Sequence, residues 1–225
     1  MTFDRRAALI LIVFAFVVVV GLLGWSFYFQ RATSYVAGTN PLLSQPEAKV
    51  ATPVLVPLRI SDPSRGSDSP NAIVIVLFGD YLSAESRALE NELKSVLAEQ
   101  RTPTRLVWRD FYPAADHPGY MTAALAARCA GDQGKFWDMH DALLTELQLN
   151  MDVFRRIAGK ILPDTGKFKT CLESGKYLKA IGNDVTLEGN NNIAHSPTLF
   201  IDQKPFVGYL TADKISSLVW SAAHK

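Results

Sequence analysis

The chain has 225 residues, of which 48% are apolar and 20% are charged, and its formal net charge is +1. This length suits one domain with an appendage, and the near-neutral charge gives no reason to expect a nucleic-acid partner. The four histidines and two cysteines show no metal-binding spacing, so neither a metal ion nor another cofactor is expected.

An uncharged run occupies residues 7–29, directly after Arg5 and Arg6. At ~1.5 Å per residue, a helix of this length crosses a hydrocarbon core of ~30 Å. The run ends in aromatic residues, which are typical of a membrane interface. A cleaved signal peptide is the alternative, but its apolar region is normally only about 7 to 15 residues long. We therefore expect residues 1–29 to form a cytoplasmic N-terminus and a single transmembrane anchor.

Positive charge sets the expected orientation of this anchor. Arg5, Arg6 and the amino terminus lie on one side of the run, and Arg31 alone lies close to the other. The positive-inside rule keeps the N-terminus in the cytoplasm, so the rest of the chain is expected on the periplasmic side of the inner membrane. Exported compartments are oxidising, which favours a disulfide between the two cysteines.

Residues 30–70 have the composition of a tether. Proline recurs through this stretch, with serine and glycine between the prolines, which is typical of an extended chain with polyproline II character. The prolines are Pro41, Pro46, Pro53, Pro57, Pro63 and Pro70. A folded domain is expected to follow over residues 71–225.

The pattern of this domain predicts a mixed α/β fold. Ile73–Phe78 is apolar without alternation, as in a central strand buried on both faces. A helix, a second strand, a helical region over about 117–187, two strands and a final helix follow. The remaining predicted elements are Ser83–Gln100, Thr104–Asp110, Thr198–Ile201, Phe206–Gly208 and Thr211–Ala223. The order β-α-β, helices, β-β-α is that of a thioredoxin fold with an inserted helical subdomain.

Four segments resemble the DsbA-like family of exported thiol oxidoreductases, especially its membrane-anchored members with a thioredoxin-4-type domain. The first segment, Phe78-Gly-Asp-Tyr-Leu-Ser-Ala-Glu-Ser-Arg87, is similar to the family's F-x-D-F/Y-x-C-P-x-C-R. The resemblance extends over roughly Gly66 to Ala223, and the order of the segments matches the family. The other segments are Trp108–Pro113 with His117-Pro118 beyond it, Ala126–Asp141 and Ser196–Gly208.

The resemblance assigns a position to each expected site residue. Ser83 and Ser86, with Ala84 and Glu85 between them, stand where the family has its two redox cysteines. Pro197 stands at the family's cis-proline, beside the active-site turn. Ser196 replaces the usual threonine or valine before that proline, and His195 stands where many members have glycine.

Replacing both cysteines by serine removes the family's usual chemistry. Disulfide exchange needs a thiolate, which the helix N-terminus stabilises, and a second sulfur that resolves the mixed disulfide. A serine hydroxyl stays protonated at neutral pH, so Ser83 is interpreted as the N-cap of a helix, with Glu85 in the favourable first turn. The alternative is a Ser83 nucleophile activated by His195, but the chain has no G-x-S-x-G elbow.

Cys129 and Cys171 are 42 positions apart and allow two interpretations. They form a structural disulfide within the helical insertion, as second disulfides do in some relatives, or they form a displaced redox pair. The structural interpretation is favoured, because neither cysteine begins a helix or has a resolving cysteine nearby.

These observations predict a membrane-tethered, exported, DsbA-like protein that is redox-inactive at the usual site. Its expected partners are polypeptide clients or an envelope protein complex, in a chaperone or scaffold role. The resemblance implies that a substrate peptide pairs with the backbone of the loop at Pro197, and such strand addition does not need sulfur. Whether it is an enzyme is left open. The alternative is a thiol-disulfide oxidoreductase that acts through Cys129 and Cys171 or through a partner's thiols.

Overall fold

The computed structural model describes residues 49–50, 56–99, 101–112 and 118–225. The predicted anchor over residues 1–29 and most of the predicted tether lie outside these residues. Within the described part of the chain, no helix combines the length and the apolarity that crossing a membrane requires.

One mixed β-sheet lies at the centre of the fold, with its strands in the order β1-β6-β5-β3-β4-β2. Strands β3 and β4 are parallel, with Ile73 opposite Thr104 and Gly79 opposite Asp110. Strand β5 pairs antiparallel with the other side of β3. The strands are β1 Lys49–Val50, β2 Ser64–Gly66, β3 Ile73–Gly79, β4 Thr104–Asp110, β5 Thr198–Ile201 and β6 Lys204–Val207.

Helices cover both faces of this sheet. Successive side chains of β3 point to opposite faces: Ile75 and Leu77 join a large core with α1 and α7, whereas Val76 and Phe78 join a smaller one against α6. Both cores are apolar, which explains why β3 shows no alternation in its sequence. The helices are α1 Ala84–Glu99, α2 Pro118–Gly131, α3 Phe136–Thr145, α4 Met151–Ile161, α5 Thr165–Ser174, α6 Leu178–Asn190 and α7 Ala212–Ala223.

Helices α2 to α6 form the insertion between β4 and β5. They span Pro118 to Asn190, close to the predicted range of about 117–187. The disulfide between Cys129 and Cys171 joins α2 to α5, so the predicted pairing of the two cysteines is confirmed. The mixed α/β thioredoxin-like fold with a helical insertion is likewise confirmed.

The body of the fold extends upstream of residue 71. Val56 is buried in the smaller core, and its backbone N–H donates to Gln203 Oε1 at 2.7 Å. The Gln203 amide nitrogen donates back to the Val56 carbonyl at 3.4 Å. Further along, the Trp108 N–H donates to the Pro63 carbonyl at 3.0 Å. Residues 56–70, which sequence analysis assigned to the tether, therefore pack on the domain.

A buried ion-pair network holds this upstream segment against the helical insertion. Asp184 of α6 is fully buried, and its carboxylate accepts hydrogen bonds from Arg59, Arg109 and Arg128 at 2.7, 2.9 and 2.8 Å. Arg109 also pairs with Asp62 at 2.6 Å, and Arg128 with Asp110 at 2.6 Å. Three arginines and three aspartates thus balance one another where β4, α2, α6 and the upstream segment meet.

Candidate functional site

The site begins at a tight turn between β3 and α1. The Asp80 carboxylate accepts the N–H of Leu82 at 2.8 Å, and the Ser83 N–H donates to the Asp80 carbonyl at 3.1 Å. The preceding Gly79 packs so closely on the Trp108 ring that a Cβ there would lie 2.2 Å from it, so no other residue fits without a shift. The short polar side chain of Asp80 suits this reversal of the chain.

Ser83 begins helix α1 as its N-cap. Its hydroxyl oxygen accepts the backbone N–H of Ser86 at 3.1 Å, and its carbonyl accepts the N–H of Arg87 at 3.1 Å. This is the pattern by which serine satisfies the unpaired N–H groups of a first helical turn. Ala84 between them is exposed, and Glu85 is half-buried in the first turn.

Ser86 connects the start of α1 to the loop that precedes β5. Its side chain is fully buried, and its oxygen accepts the backbone N–H of Asp80 at 3.2 Å. The same oxygen lies 2.9 Å from the Ser196 hydroxyl oxygen, with which it shares a hydrogen bond. The peptide bond from Ser196 to Pro197 is cis. The structure therefore brings Ser83, Ser86, Ser196 and Pro197 together in one place.

His195 lies in the same loop, but its ring stays exposed to solvent. The backbone carbonyl of His195 accepts a hydrogen bond from the Thr198 hydroxyl at 2.6 Å. Among the described residues, no hydrogen bond joins a histidine ring to Ser83. The structure thus gives the alternative of a His195-activated nucleophile no general base in contact.

Three buried side chains, one of which belongs to Tyr81 of the turn itself, form a chain of polar contacts. The Tyr81 hydroxyl lies 3.0 Å from His140 Nδ1, and His140 Nε2 lies 3.4 Å from Glu90 Oε1, with all three residues fully buried. Burial alone would raise the pKa of Glu90, but His140 and Arg65 hold it below the ordinary value. Burial also raises the pKa of Tyr81, so its hydroxyl keeps its proton.

Glu188 of α6 is a buried acid that sequence analysis did not identify. It is only 4% exposed, and the Tyr112 N–H donates to both of its carboxylate oxygens at 3.3 Å. Burial raises its pKa to about 8, with a further contribution from the negative charges of Asp184 and Asp110, although the Tyr112 N–H opposes the shift. The sequence offered one indication of this site: Asp184 and Glu188 are four residues apart, so a helix places both acids on the same face.

Residues 66–220 match the family profile described as Thioredoxin (Thioredoxin_4). The chain belongs to this family. The match covers the turn, α1, the helical insertion and the loop with Pro197, so the site lies within the family's own domain. This thioredoxin-family domain nevertheless has serine at both positions where the resemblance placed redox cysteines.

Solved structures share the fold at low sequence identity. BdbD from Bacillus subtilis in its oxidised form has a TM-score of 0.66 and 17% identity, covering 80% of this chain and all of that one. A thioredoxin-like oxidoreductase from Silicibacter pomeroyi has a TM-score of 0.65 and 22% identity over 74% and 95% of the two chains. The thiol-disulfide exchange protein alpha-DsbA2 from Wolbachia pipientis has a TM-score of 0.64 and 21% identity over 72% and 87%. These likenesses show a DsbA-like fold.

The curated relatives are larger proteins. Na(+)/H(+) antiporter NhaA 1 of Salinispora arenicola is 29% identical over 151 residues, which are 67% of this chain and 23% of that protein. Na(+)/H(+) antiporter NhaA 1 of Mycolicibacterium gilvum is 28% identical over 190 residues, 81% of this chain and 28% of that protein. The chain therefore spans about a quarter of the length of the curated relatives it matches.

Proposed function

We propose that this protein is a polypeptide-binding thioredoxin-fold domain that does not exchange disulfides at the Ser83 turn and acts as a chaperone or scaffold. The observation that carries the proposal is the hydrogen bond between Ser86 and Ser196 at 2.9 Å, directly beside the cis bond to Pro197. The resemblance assigns the family's redox cysteines to this turn, and the hydroxyl oxygens that stand there form no mixed disulfide.

Backbone at the site is available for an incoming strand. Among the described residues, neither the N–H nor the C=O of Ser196 has a hydrogen-bond partner, whereas the next carbonyl, that of Pro197, accepts the Gly208 N–H at 2.8 Å. A peptide that pairs with the backbone of Ser196 would therefore replace no backbone hydrogen bond that this residue makes among the described residues. Strand addition of this kind derives its affinity from main-chain hydrogen bonds, which need no sulfur.

Two accessible leucines, Leu82 and Leu147, offer such a peptide an additional apolar contact. The α3–α4 loop lies against the first turn of α1, because Arg87 donates to the Glu146 carbonyl at 3.3 Å. Leu147, the next residue, is 86% exposed. Leu82 in the turn is half-buried. An exposed leucine in the loop that contacts the first turn of α1 suits a client in an extended, partly apolar conformation.

The proposal places the domain on the outer face of the cell membrane, held by residues 1–29. The uncharged run in that stretch supports an anchor. Two of the matched proteins are named Na(+)/H(+) antiporters, which supports a position at a membrane and, as a second type of partner, an envelope protein complex.

The test is a binding measurement on the full chain in detergent micelles. The probe is fluorescently labelled α-lactalbumin that has been reduced and carboxymethylated, so that it is unfolded and has no thiol. We expect saturable binding, unchanged in Ser83→Ala and weakened on the order of tenfold in Leu147→Asp. Leu178→Asp, at an exposed leucine of α6, is the matched control and should bind normally. No saturable binding, or equal losses in both leucine variants, would refute the proposal.

The second candidate is an oxidoreductase that acts through Cys129 and Cys171. It is favoured by a surface pocket of about 380 Å³ that is lined by both cysteines and by Lys176. Cys171 is 7% exposed there, whereas Cys129 is fully buried. Thiol counting followed by an insulin-reduction assay distinguishes the candidates: turnover that disappears in Cys129→Ala would replace the binding function with this one.

A further inference from the structure

A cleft lies between the C-terminal end of α1 and helix α7. It is lined by the buried residues Val96 of α1 and Val219 of α7, and by Trp220, which is 57% exposed. Its volume is about 280 Å³, which is close to that of the smallest typical small-molecule sites. An exposed aromatic ring on a concave, partly apolar surface makes this cleft a candidate for ligand binding.

One face of α7 brings the aromatic ring and three polar side chains to the cleft. These four lining residues are spaced i, i+3, i+4 and i+7, so they share one side of the helix. They are Asp213, Ser216, Ser217 and Trp220. Within the described part of the chain, the Asp213 carboxylate and the two serine hydroxyls have no hydrogen-bond or ion-pair partner. They are therefore available to a ligand.

Trp220 differs from the other two tryptophans of the described residues in its indole nitrogen. The indole N–H groups of Trp108 and Trp137 donate hydrogen bonds within the fold at 2.9 and 2.8 Å. That of Trp220 donates to no group among the described residues. His224 stacks on the Trp220 ring, with 4.3 Å between ring centroids and 20° between planes. This stacking orients the ring and leaves its N–H free to bond a ligand.

A second cavity adjoins the first. It also has a volume of about 280 Å³, and it shares Val96, Thr102 and Thr104 with the first cavity as lining residues. It extends the cleft towards Pro103, just before β4, and Gly66 at the end of β2. Two adjoining cavities of equal size suit a ligand made of linked units rather than a single small molecule.

The chemistry of the lining selects a ligand with an apolar face and hydroxyl groups around its edge. A pyranose ring with equatorial substituents has this form, because its axial C–H groups pack on an indole face. Its hydroxyls both donate and accept, which suits a carboxylate, serine hydroxyls and an indole N–H. A cationic ligand fits less well, because the cleft has one aromatic ring rather than a cage and also includes Arg101.

We propose that the cleft between α1 and α7 binds a β-1,4-linked chain of pyranose sugars. One ring packs on Trp220 with its hydroxyls on Asp213 and the two serines, and the next ring occupies the adjoining cavity. Helix α1 has 16 residues, so its C-terminal end lies about 24 Å from the serine turn at its start. The saccharide site is therefore separate from the proposed client site and does not rest on the proposed function.

The test is an NMR titration of the full chain with ¹⁵N-labelled tryptophan, in micelles of a detergent without a sugar headgroup. The probes are cellotriose and tri-N-acetylchitotriose, which share the β-1,4 linkage and differ in the acetamido group. The chain has four tryptophans, and the indole signal that is absent in Trp220→Phe is that of Trp220. We expect this signal to shift saturably with at least one trimer. Sorbitol, which has hydroxyl groups but no ring face, should not shift it.

Calorimetry on matched variants then locates the site. Trp220→Ala should abolish binding of the trimer, and Asp213→Ala should weaken it on the order of tenfold, because a charge-assisted hydrogen bond is lost. Lys214→Ala is the control, since this exposed neighbour on α7 does not line the cleft and its loss should leave affinity unchanged. Binding that persists in Trp220→Ala, or that falls equally in the Asp213 and Lys214 variants, would place the sugar elsewhere and overturn the proposal.

Two further outcomes would also overturn it. The first is the absence of a saturable shift with both trimers, or an equal shift with sorbitol. The second is a dimer in sedimentation that Trp220→Ala converts to a monomer while neither sugar binds, which would make the cleft an interface between two copies of the chain. Failure of the α-lactalbumin probe to bind would refute the proposed function alone, because the sugar titration does not depend on it.

Discussion

The hydroxyl oxygens of Ser86 and Ser196 lie 2.9 Å apart and join the first turn of α1 to the residue before the cis-proline. Ser86 is fully buried, whereas Ser83 at the N-cap is half-buried. One polar group therefore faces the interior and the other lies nearer to the surface, at the N-terminus of a helix. An attacking thiol and a resolving thiol would need this arrangement, so the site can be tested by restoring sulfur.

The double variant Ser83→Cys/Ser86→Cys is expected to gain thiol-disulfide exchange activity. A cysteine at position 83 would lie at the α1 N-terminus, which lowers a thiol pKa below its ordinary value of about 8.5. Thiol titration and a peptide-oxidation assay measure the outcome. The single variant Ser83→Cys is the control, because it has the nucleophile without the resolving thiol. A double variant as inactive as the single one would show that the turn no longer has a redox geometry.

Ser83→Ala should reduce stability by about 1 kcal/mol, because the N–H of Ser86 loses its cap. Client binding should be unchanged, since the hydroxyl has no chemical role in the proposed function. Urea denaturation measures the free energy of unfolding of each variant. Thr211→Ala removes the N-cap of α7, where the Thr211 hydroxyl accepts the Lys214 N–H, and should cost a similar amount. Binding lost in Ser83→Ala but kept in Thr211→Ala would contradict the capping role.

Removing the disulfide with Cys129→Ala/Cys171→Ala should lower the free energy of unfolding by about 4 kcal/mol, because a loop of 42 residues is opened in the unfolded chain. Guanidinium unfolding measures this loss. A reducing agent should reproduce it in the original protein and have no effect on the variant. At a temperature where the variant stays folded, it should bind the client probe normally, because the disulfide joins α2 to α5 within the helical insertion and not at the serine turn.

Asp184→Asn should be strongly destabilising, by about 3 to 5 kcal/mol, because two buried arginines, Arg109 and Arg128, and the partly exposed Arg59 lose one partner at once. Thermal unfolding at neutral pH is the measurement. Asp152→Asn is the matched control: its ion pair with Arg155 is exposed and should contribute less than about 1 kcal/mol. Similar losses in both variants would mean that the buried network contributes little.

Glu188 should give the protein a stability that declines with rising pH. Its pKa is raised from 4.5 to about 8 in the folded state, so between these values the folded chain binds more protons than the unfolded chain. The stabilisation is complete below the unfolded pKa and is lost as pH rises towards about 8, at a slope on the order of 1 kcal/mol per pH unit. Denaturant unfolding from pH 5 to pH 9 measures this slope, which should be weaker in Glu188→Gln than in the original protein. An equal slope in the two proteins would show that Glu188 is not the source of the pH dependence.

The sheet and the outer helices could be predicted from local patterns. Strand β4 has the predicted bounds, and Thr211 caps α7 as its position before an amphipathic run indicates. The position of the serine turn followed from its resemblance to a family motif. Binding at this turn and the membrane anchor stay predictions.

Long-range polar contacts could not be predicted in this way. Arg59 and Asp184 are 125 positions apart, and no periodicity relates them. Residues 56–62 were predicted to be part of the tether because proline recurs through residues 30–70, but burial of Val56 depends on a core that only the folded chain provides. The raised pKa of Glu188 has the same origin, since it comes mainly from burial in the folded chain and then from the negative charges of Asp184 and of Asp110 on a distant strand.

The two hydrogen bonds between Gln203 and Val56 help to determine which part of the domain would bear a pulling force applied to the upstream chain. Strand β1, upstream of Val56, pairs with β6, and Gln203 lies in the turn between β5 and β6. These two of the upstream attachments therefore fall on one hairpin, whose first strand begins immediately after Pro197. A pull from the direction of residue 49 would act on this hairpin before any helix, and β5 of the hairpin begins two residues after Ser196, the proposed client contact.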